Sequence, residues 1–152
     1  MVAMEAVAYI DGASLANPGD AALAVRIYDM QGQLLKSICE PIGKQTNNFA
    51  EYYALLRCLQ EAHVMGIQRL TIHTDSELIL MQWIGKYAVR SENLRPLYNE
   101  AREYEQGGMQ VKIIRVALAE DSRLPIVDRM AREAAQHVQR FRPRQEDRIN
   151  EI

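Results

Sequence analysis

Two short apolar runs that each end in an acid constrain this chain more than any other feature. Residues 4–11 read Met-Glu-Ala-Val-Ala-Tyr-Ile-Asp, and residues 70–75 read Leu-Thr-Ile-His-Thr-Asp. Short apolar runs with β-branched and aromatic residues predict mostly buried strands. After the first run comes a stretch dense in turn residues, from Asp11-Gly12 to Asn17-Pro18-Gly19-Asp20. Residues 22–28 and 34–42 read as two further strands, joined by a hairpin turn at Asp29-Met30-Gln31-Gly32-Gln33. The chain therefore opens as an antiparallel meander.

Helices follow. Thr46, Asn47 or Asn48 can cap a long one, and Gly66 can end it as the residue just past its last turn. Within it Glu51, Leu55, Cys58, Ala62 and Met65 recur at helical spacing on one face. A short helix over 76–83, capped by Asp75 or Ser76, a helix over 93–105 and a strand over 110–116 come next. Pro125 suits the first turn of a last helix, whose face carries Val127, Ala131, Ala134, Val138 and Phe141. Residues 142–152 are polar and charged and read as a frayed tail, leaving 1–141 as one domain. The order βββαβααβα implies an α/β fold: a mixed sheet with helices on both faces. Such sheets place ligands beyond the carboxyl ends of their parallel strands. That is where Asp11 and Asp75 are expected.

Composition narrows the function classes. At 152 residues, with 48% apolar and 25% charged residues, the chain can bury a real core without disulfides. It has no apolar run long enough to span a membrane and no leader-like N-terminus, so a cytoplasmic location and no membrane partner are expected. Cys39 and Cys58 lack metal-ligand spacing and read as buried free thiols in a reducing compartment. Neither G-x-x-x-x-G-K-[ST] nor G-x-G-x-x-G occurs, which argues against a nucleotide-binding protein.

Each of the four acids has an ordinary explanation. Asp11 before Gly12 is a turn pair, Asp75 a helix cap, and Glu51 and Asp128 are acids near helix starts. Glu51, however, shares its face with apolar residues, where a carboxylate is costly unless paired or metal-bound. If the four converge at one edge of the sheet, only cations relieve their repulsion. Hard oxygen ligands suit Mg²⁺ or Mn²⁺. Two such ions about 3.5–4 Å apart clamp the attacking and leaving oxygens of a phosphodiester. The net charge of −2 disfavours a nucleic-acid partner, but setting the four acids aside leaves 18 basic against 16 acidic residues.

Four motifs in this order carry a family resemblance. They are Tyr9-Ile10-Asp11-Gly12-Ala13-Ser14 with Asn17-Pro18-Gly19; Thr46-Asn47-Asn48-Phe49-Ala50-Glu51-Tyr52-Tyr53-Ala54-Leu55; Thr74-Asp75-Ser76; and Val127-Asp128-Arg129-Met130-Ala131. Over residues 5–140 the chain resembles the type 1 ribonuclease H family. The resemblance implies a five-stranded sheet in spatial order 3-2-1-4-5 and a metal site of Asp11, Glu51, Asp75 and Asp128. It further implies endonucleolytic cleavage of the RNA strand of RNA/DNA hybrids, leaving 3′-hydroxyl and 5′-phosphate ends. Thr46, Asn47, Asn48 and Asn93 correspond to residues that hold the DNA strand and its phosphate, and capping is their ordinary alternative. Gly12, Ala13 and Ser14 would approach RNA 2′-hydroxyls; otherwise Gly12 only supplies a positive φ.

There are departures from the pattern. Only residues 77–87 and a short link precede Arg90, so the basic protrusion of many relatives is missing and weaker hybrid binding is expected. Trp83 could stack on substrate, although packing is its commoner role. Residues 117–127 lack the histidine that many members carry before the last acid, and Arg123 is a speculative stand-in. Leu124 and Arg115 also stand where relatives often have Asn and His. His63, His73 and His137 read as surface or packing residues. Competing expectations are a non-catalytic nucleic-acid-binding module of the same fold, or a nuclease of that fold with another substrate. A monomer is expected.

Overall fold

The computed structural model describes residues 3–141. The expected tail, 142–152, lies outside the described residues, as do the side-chain contacts of Phe141. Three strands open the chain: β1 (Glu5–Ser14), β2 (Gly19–Tyr28) and β3 (Leu34–Gln45). Helix α1 (Asn47–Val64), strand β4 (Arg69–Thr74), helices α2 (Glu77–Trp83) and α3 (Arg95–Gln106), strand β5 (Gln110–Arg115) and helix α4 (Leu124–Phe141) follow. The sheet order is β3-β2-β1-β4-β5. The meander pairs antiparallel, whereas β1/β4 and β4/β5 pair parallel. Element order and sheet order are those expected.

Several boundaries differ, each for a local reason. The sequence places the end of the first strand at Asp11, yet β1 continues to Ser14. Its partner changes there: pairing with β4 ends at Tyr9 opposite His73, while pairing with β2 runs on to Ser14 opposite Ala21. Similarly, β3 runs through Pro41 to Gln45. It is an edge strand, where a missing N–H costs no ladder bond, and a register shift between Ala21 and Ala22 absorbs the extra residue. Helix α3 starts at Arg95 rather than Asn93, because Ser91 Oγ accepts the Leu94 N–H and closes a turn ahead of it.

The two faces of the sheet bury separate clusters. On one, Ala6, Ala8, Ile10, Leu23, Val25, Ile27, Leu70 and Ile72 meet Tyr52, Leu55, Leu56, Cys58, Leu59 and Ala62 of α1. Each large apolar side chain buried there contributes about 1.5–3 kcal/mol. The apolar face of α1 is wider than the stripe in the sequence, because α3 covers its second side with Leu97 and Ala101. Helix α4 alone covers the other face, with Leu124, Val127 and Ala131 against Tyr9, Ala24 and Tyr28. Ala135 is fully buried while Ala134, expected inward, is half-buried. Cys58 is buried as expected, but Cys39 is exposed: it sits on edge strand β3, its Sγ 3.4 Å from the Met130 carbonyl oxygen.

Candidate active site

The point where β1 parts from β4 is where the acids gather. Asp11 lies two residues past the last β1/β4 pair, and Asp75 directly follows the end of β4. The strands diverge and leave a crevice at their carboxyl ends, as in other parallel sheets. Thr74 Oγ1 accepts the Ser76 N–H, and Ser76 Oγ accepts the Ile79 N–H. Ser76 therefore caps α2, and Asp75 is free of the capping duty it could have had.

Glu51 reaches the crevice because Gly12 has no side chain. A Cβ on Gly12 would lie 2.2 Å from the Ala50 carbonyl carbon and 2.3 Å from the Glu51 nitrogen. Gly12 therefore serves a close approach of β1 to α1, and its φ is not positive. The start of α1 is fixed by Thr46, whose Oγ1 accepts the Phe49 N–H at 3.1 Å, and by Asn17, whose Oδ1 accepts the Asn47 N–H at 3.1 Å. Glu51 is the fifth residue of α1, past the first turn, so helix-dipole stabilisation does not account for it. Asp128 is likewise the fifth residue of α4, not in the first turn as expected. Asp121 Oδ1 takes the N-terminal N–H groups of Arg123 and Leu124 instead.

One carboxylate oxygen each from Asp11, Glu51 and Asp75 lies within 4.8 Å of the others. Asp128 lines the same cleft, close enough that its carboxyl and that of Asp11 can share a proton. All four line a cleft of about 370 Å³, together with Gly12, Ala13, Ser14, Asn47 and Arg132. Burial, the Asp128 hydrogen bond and the charge of Asp75 push the Asp11 carboxyl up to about 9. Burial and the charge of Asp75 raise Glu51 to about 7, against hydrogen bonds from Ser76 and Asn47 that lower it. Asp75 is also raised by burial, then lowered in part by its own backbone N–H. Without cations the cluster thus holds protons it would otherwise lose. Asp75 Oδ1 is buried without a hydrogen-bond partner. A buried carboxylate oxygen without a partner, on a residue grouped with two other carboxylates, fits a hard divalent cation.

The other expected site residues divide. Gly12, Ala13, Ser14 and Asn47 line the cleft, and Asn47 Nδ2 donates to Glu51 Oε1 at 3.3 Å. Ser14 Oγ donates to the Gln45 carbonyl oxygen at 2.8 Å, tying β1 to the end of β3. Thr46 and Asn48 flank Asn47 at the start of α1 without lining the cleft, and Asn93 is exposed in the turn before α3. Arg123 is not at the cluster: its guanidinium lies 4.0 Å from the ring centroid of Tyr28 and 5.7 Å from that of Tyr9. Two adjacent tyrosines offer it a stacking platform. Trp83 is packed, 6% exposed, with the Arg102 guanidinium 3.7 Å from its ring centroid. His73 stacks on Tyr9 and His63 meets the edge of Tyr104. Sequence reasoning assigns no site role to Ser76, Asn17, Arg132 and Gln136. The last two were findable, since Asp128, Arg132 and Gln136 are spaced by four on one helix face.

Comparisons with known proteins agree with this geometry. A family model described as "Reverse transcriptase-like" matches residues 9–113. The ribonuclease HI of Halobacterium salinarum is 35% identical over 127 residues, which is 84% of this chain and 62% of that protein. This chain thus spans less than two thirds of that relative. The crystal structure of ribonuclease H1 from H. salinarum superposes with a TM-score of 0.80 at 32% identity, covering 88% of this chain and 98% of that one. LC11 ribonuclease H1, solved in complex with an RNA/DNA hybrid, gives 0.81 at 27% identity over 88% of this chain and 99% of its own. Motifs, sheet order and likeness converge, and the chain belongs to the type 1 ribonuclease H family.

Proposed function

We propose that this protein is a metal-dependent endonuclease that hydrolyses the RNA strand of RNA/DNA hybrids. The observation that carries the reading is the cluster of Asp11, Glu51 and Asp75, joined in the cleft by Asp128, with the buried Asp75 Oδ1 left without a protein partner. Those four carboxylates would hold two Mg²⁺ or Mn²⁺ ions. Such ions, when bound, neutralise a phosphodiester and lower the pKa of the attacking water. Hydrolysis forms a bond from water oxygen to phosphorus and breaks the bond from phosphorus to the 3′ oxygen, which leaves 3′-hydroxyl and 5′-phosphate ends.

The chain's own groups position the substrate. Asn47 orients Glu51 through its side-chain amide, and Ser76 does so through its hydroxyl. Ala13 and Ser14 lie in the cleft floor, within reach of an RNA 2′-hydroxyl in the cleaved strand. Thr46 and Asn48 offer polar groups at the start of α1, suited to a DNA phosphate. Asn93, exposed in the turn before α3, would complete that phosphate pocket. Among the described residues no helix is long and apolar enough to cross a membrane. Free thiols at Cys39 and Cys58 fit a reducing, cytoplasmic compartment.

The test is cleavage of a labelled hybrid with Mg²⁺, Mn²⁺ or EDTA, beside single-stranded RNA, duplex RNA and duplex DNA. Metal-dependent cutting of the hybrid's RNA alone is expected. Binding without cutting would leave a non-catalytic module, and preferred cutting of another substrate would leave a different nuclease of the same fold.

A further inference from the structure

We propose that Arg132 is a resident counter-cation of Asp128, which a divalent cation must displace to take that carboxylate. The inference rests on the metal-centre reading above. Arg132 stands one helical turn after Asp128 on α4, and its guanidinium donates to Asp128 Oδ2. Both residues line the cleft. The Arg132 side chain is 54% exposed against 21% for Asp128, so the guanidinium can move into water while the carboxylate stays in place. An ion pair that is easily exchanged is of modest strength.

A second arginine beside the cluster makes the contrast. Arg115, at the end of β5, donates from Nε to the backbone carbonyl oxygen of Asp75 at 3.3 Å. It adds positive field without occupying a carboxylate oxygen. Among the described residues, Arg132 is the one cation ion-paired to a member of the cluster. Divalent binding at Asp128 is therefore an exchange of one cation for another. Its apparent affinity is reduced by the population of the Asp128–Arg132 pair.

Calorimetric titration of Mn²⁺ into the metal-free protein tests this. Arg132→Gln should bind Mn²⁺ about two- to fivefold more tightly than the unchanged protein. Arg115→Gln should tighten binding less, because it weakens the field without vacating a ligand. In an Asp128→Asn background, Arg132→Gln should have no effect on affinity. Weaker or unchanged binding by Arg132→Gln would show that the arginine orients Asp128 or is a passive surface pair. Equal tightening by Arg115→Gln would assign the effect to field alone, which also overturns the exchange. Failure of the unchanged protein to take up Mn²⁺ would refute the metal-centre reading itself. Uptake indifferent to Arg132 would refute this inference alone.

Discussion

Gly12 of β1 lies against Ala50 of α1 so closely that a single methyl group on it would sit 2.2 Å from the Ala50 carbonyl carbon. The atoms it would meet are backbone, which cannot rotate away. Gly12→Ala must therefore push β1 and α1 apart and carry Glu51 away from Asp11. We expect a stability loss of about 1–3 kcal/mol from overpacking and a fall in turnover of about 100-fold from the misplaced carboxylate. Urea unfolding and hybrid cleavage measure the two effects. Full activity in a folded Gly12→Ala protein would mean that the Glu51 position is not critical.

The Asp11 carboxyl gives a pH dependence of defined sign. It is held up to about 9 in the folded chain against 3.8 ordinarily. Above the ordinary value the unfolded chain has lost this proton while the folded chain keeps it. The contribution to stability is thus complete below about pH 3.8 and is lost progressively as pH rises to about 9. Asp11→Asn replaces the neutral acid with a neutral near-isostere. Metal-free Asp11→Asn should exceed the unchanged protein in Tm slightly near pH 5 and by a widening margin, about 3 °C or more, near pH 9. Cleavage should be abolished at every pH. A Tm deficit at pH 5 would make Asp11 a structural residue.

Much of this was legible in the sequence because period and punctuation were consistent. Asp75 at the end of β4, helical spacing from Leu55 to Ala62 and the turn at Asp29–Gln33 all became elements of the expected kind, whereas β1 runs on past Asp11 to Ser14. All four acids can be named from the sequence, but the approach of Glu51 to Asp11 depends on something the sequence hides. Gly12 reads as a turn residue, whereas its function is the space it leaves for α1. Arg123 was misplaced because sequence proximity to Asp128 says nothing of direction. Its side chain turns to Tyr28, near the opposite end of β2. Cys39 was misjudged because edge-strand status is a property of sheet order, not of local composition.

Thr46 is expected to have two separable effects. Its hydroxyl caps α1 through the Phe49 N–H, so Thr46→Ala should cost about 1 kcal/mol of stability. In the proposed reading it also faces the DNA phosphate. Thr46→Ala should therefore weaken hybrid affinity more than it slows saturated turnover, whereas Thr46→Ser should restore both. Binding isotherms at fixed salt check this. An unchanged affinity in Thr46→Ala would leave Thr46 a cap only.

Arg123 supplies a control. Stacked on Tyr28 away from the cleft, it should contribute about 0.5–1 kcal/mol to stability. Arg123→Ala should lower Tm slightly and leave kcat and KM for hybrid cleavage unchanged. A fall in kcat with Tm restored by a second-site stabiliser would return Arg123 to a role in turnover.

Protons and divalent cations compete for the same oxygens, and this sets the pH profile of metal uptake. Glu51 at about 7 and Asp11 at about 9 both give up protons as pH rises from 6 to 9. Apparent Mn²⁺ or Mg²⁺ affinity should rise across that range, with proton release accompanying uptake. Calorimetry in two buffers of different ionisation enthalpy reads the proton count directly. The release should be largest near pH 6, where both carboxyls carry protons in the metal-free protein, and should fall toward zero above pH 9. In Asp11→Asn it should drop by one proton, leaving only that of Glu51. Affinity independent of pH between 6 and 9 would mean that Glu51 and Asp11 are already ionised in the metal-free protein.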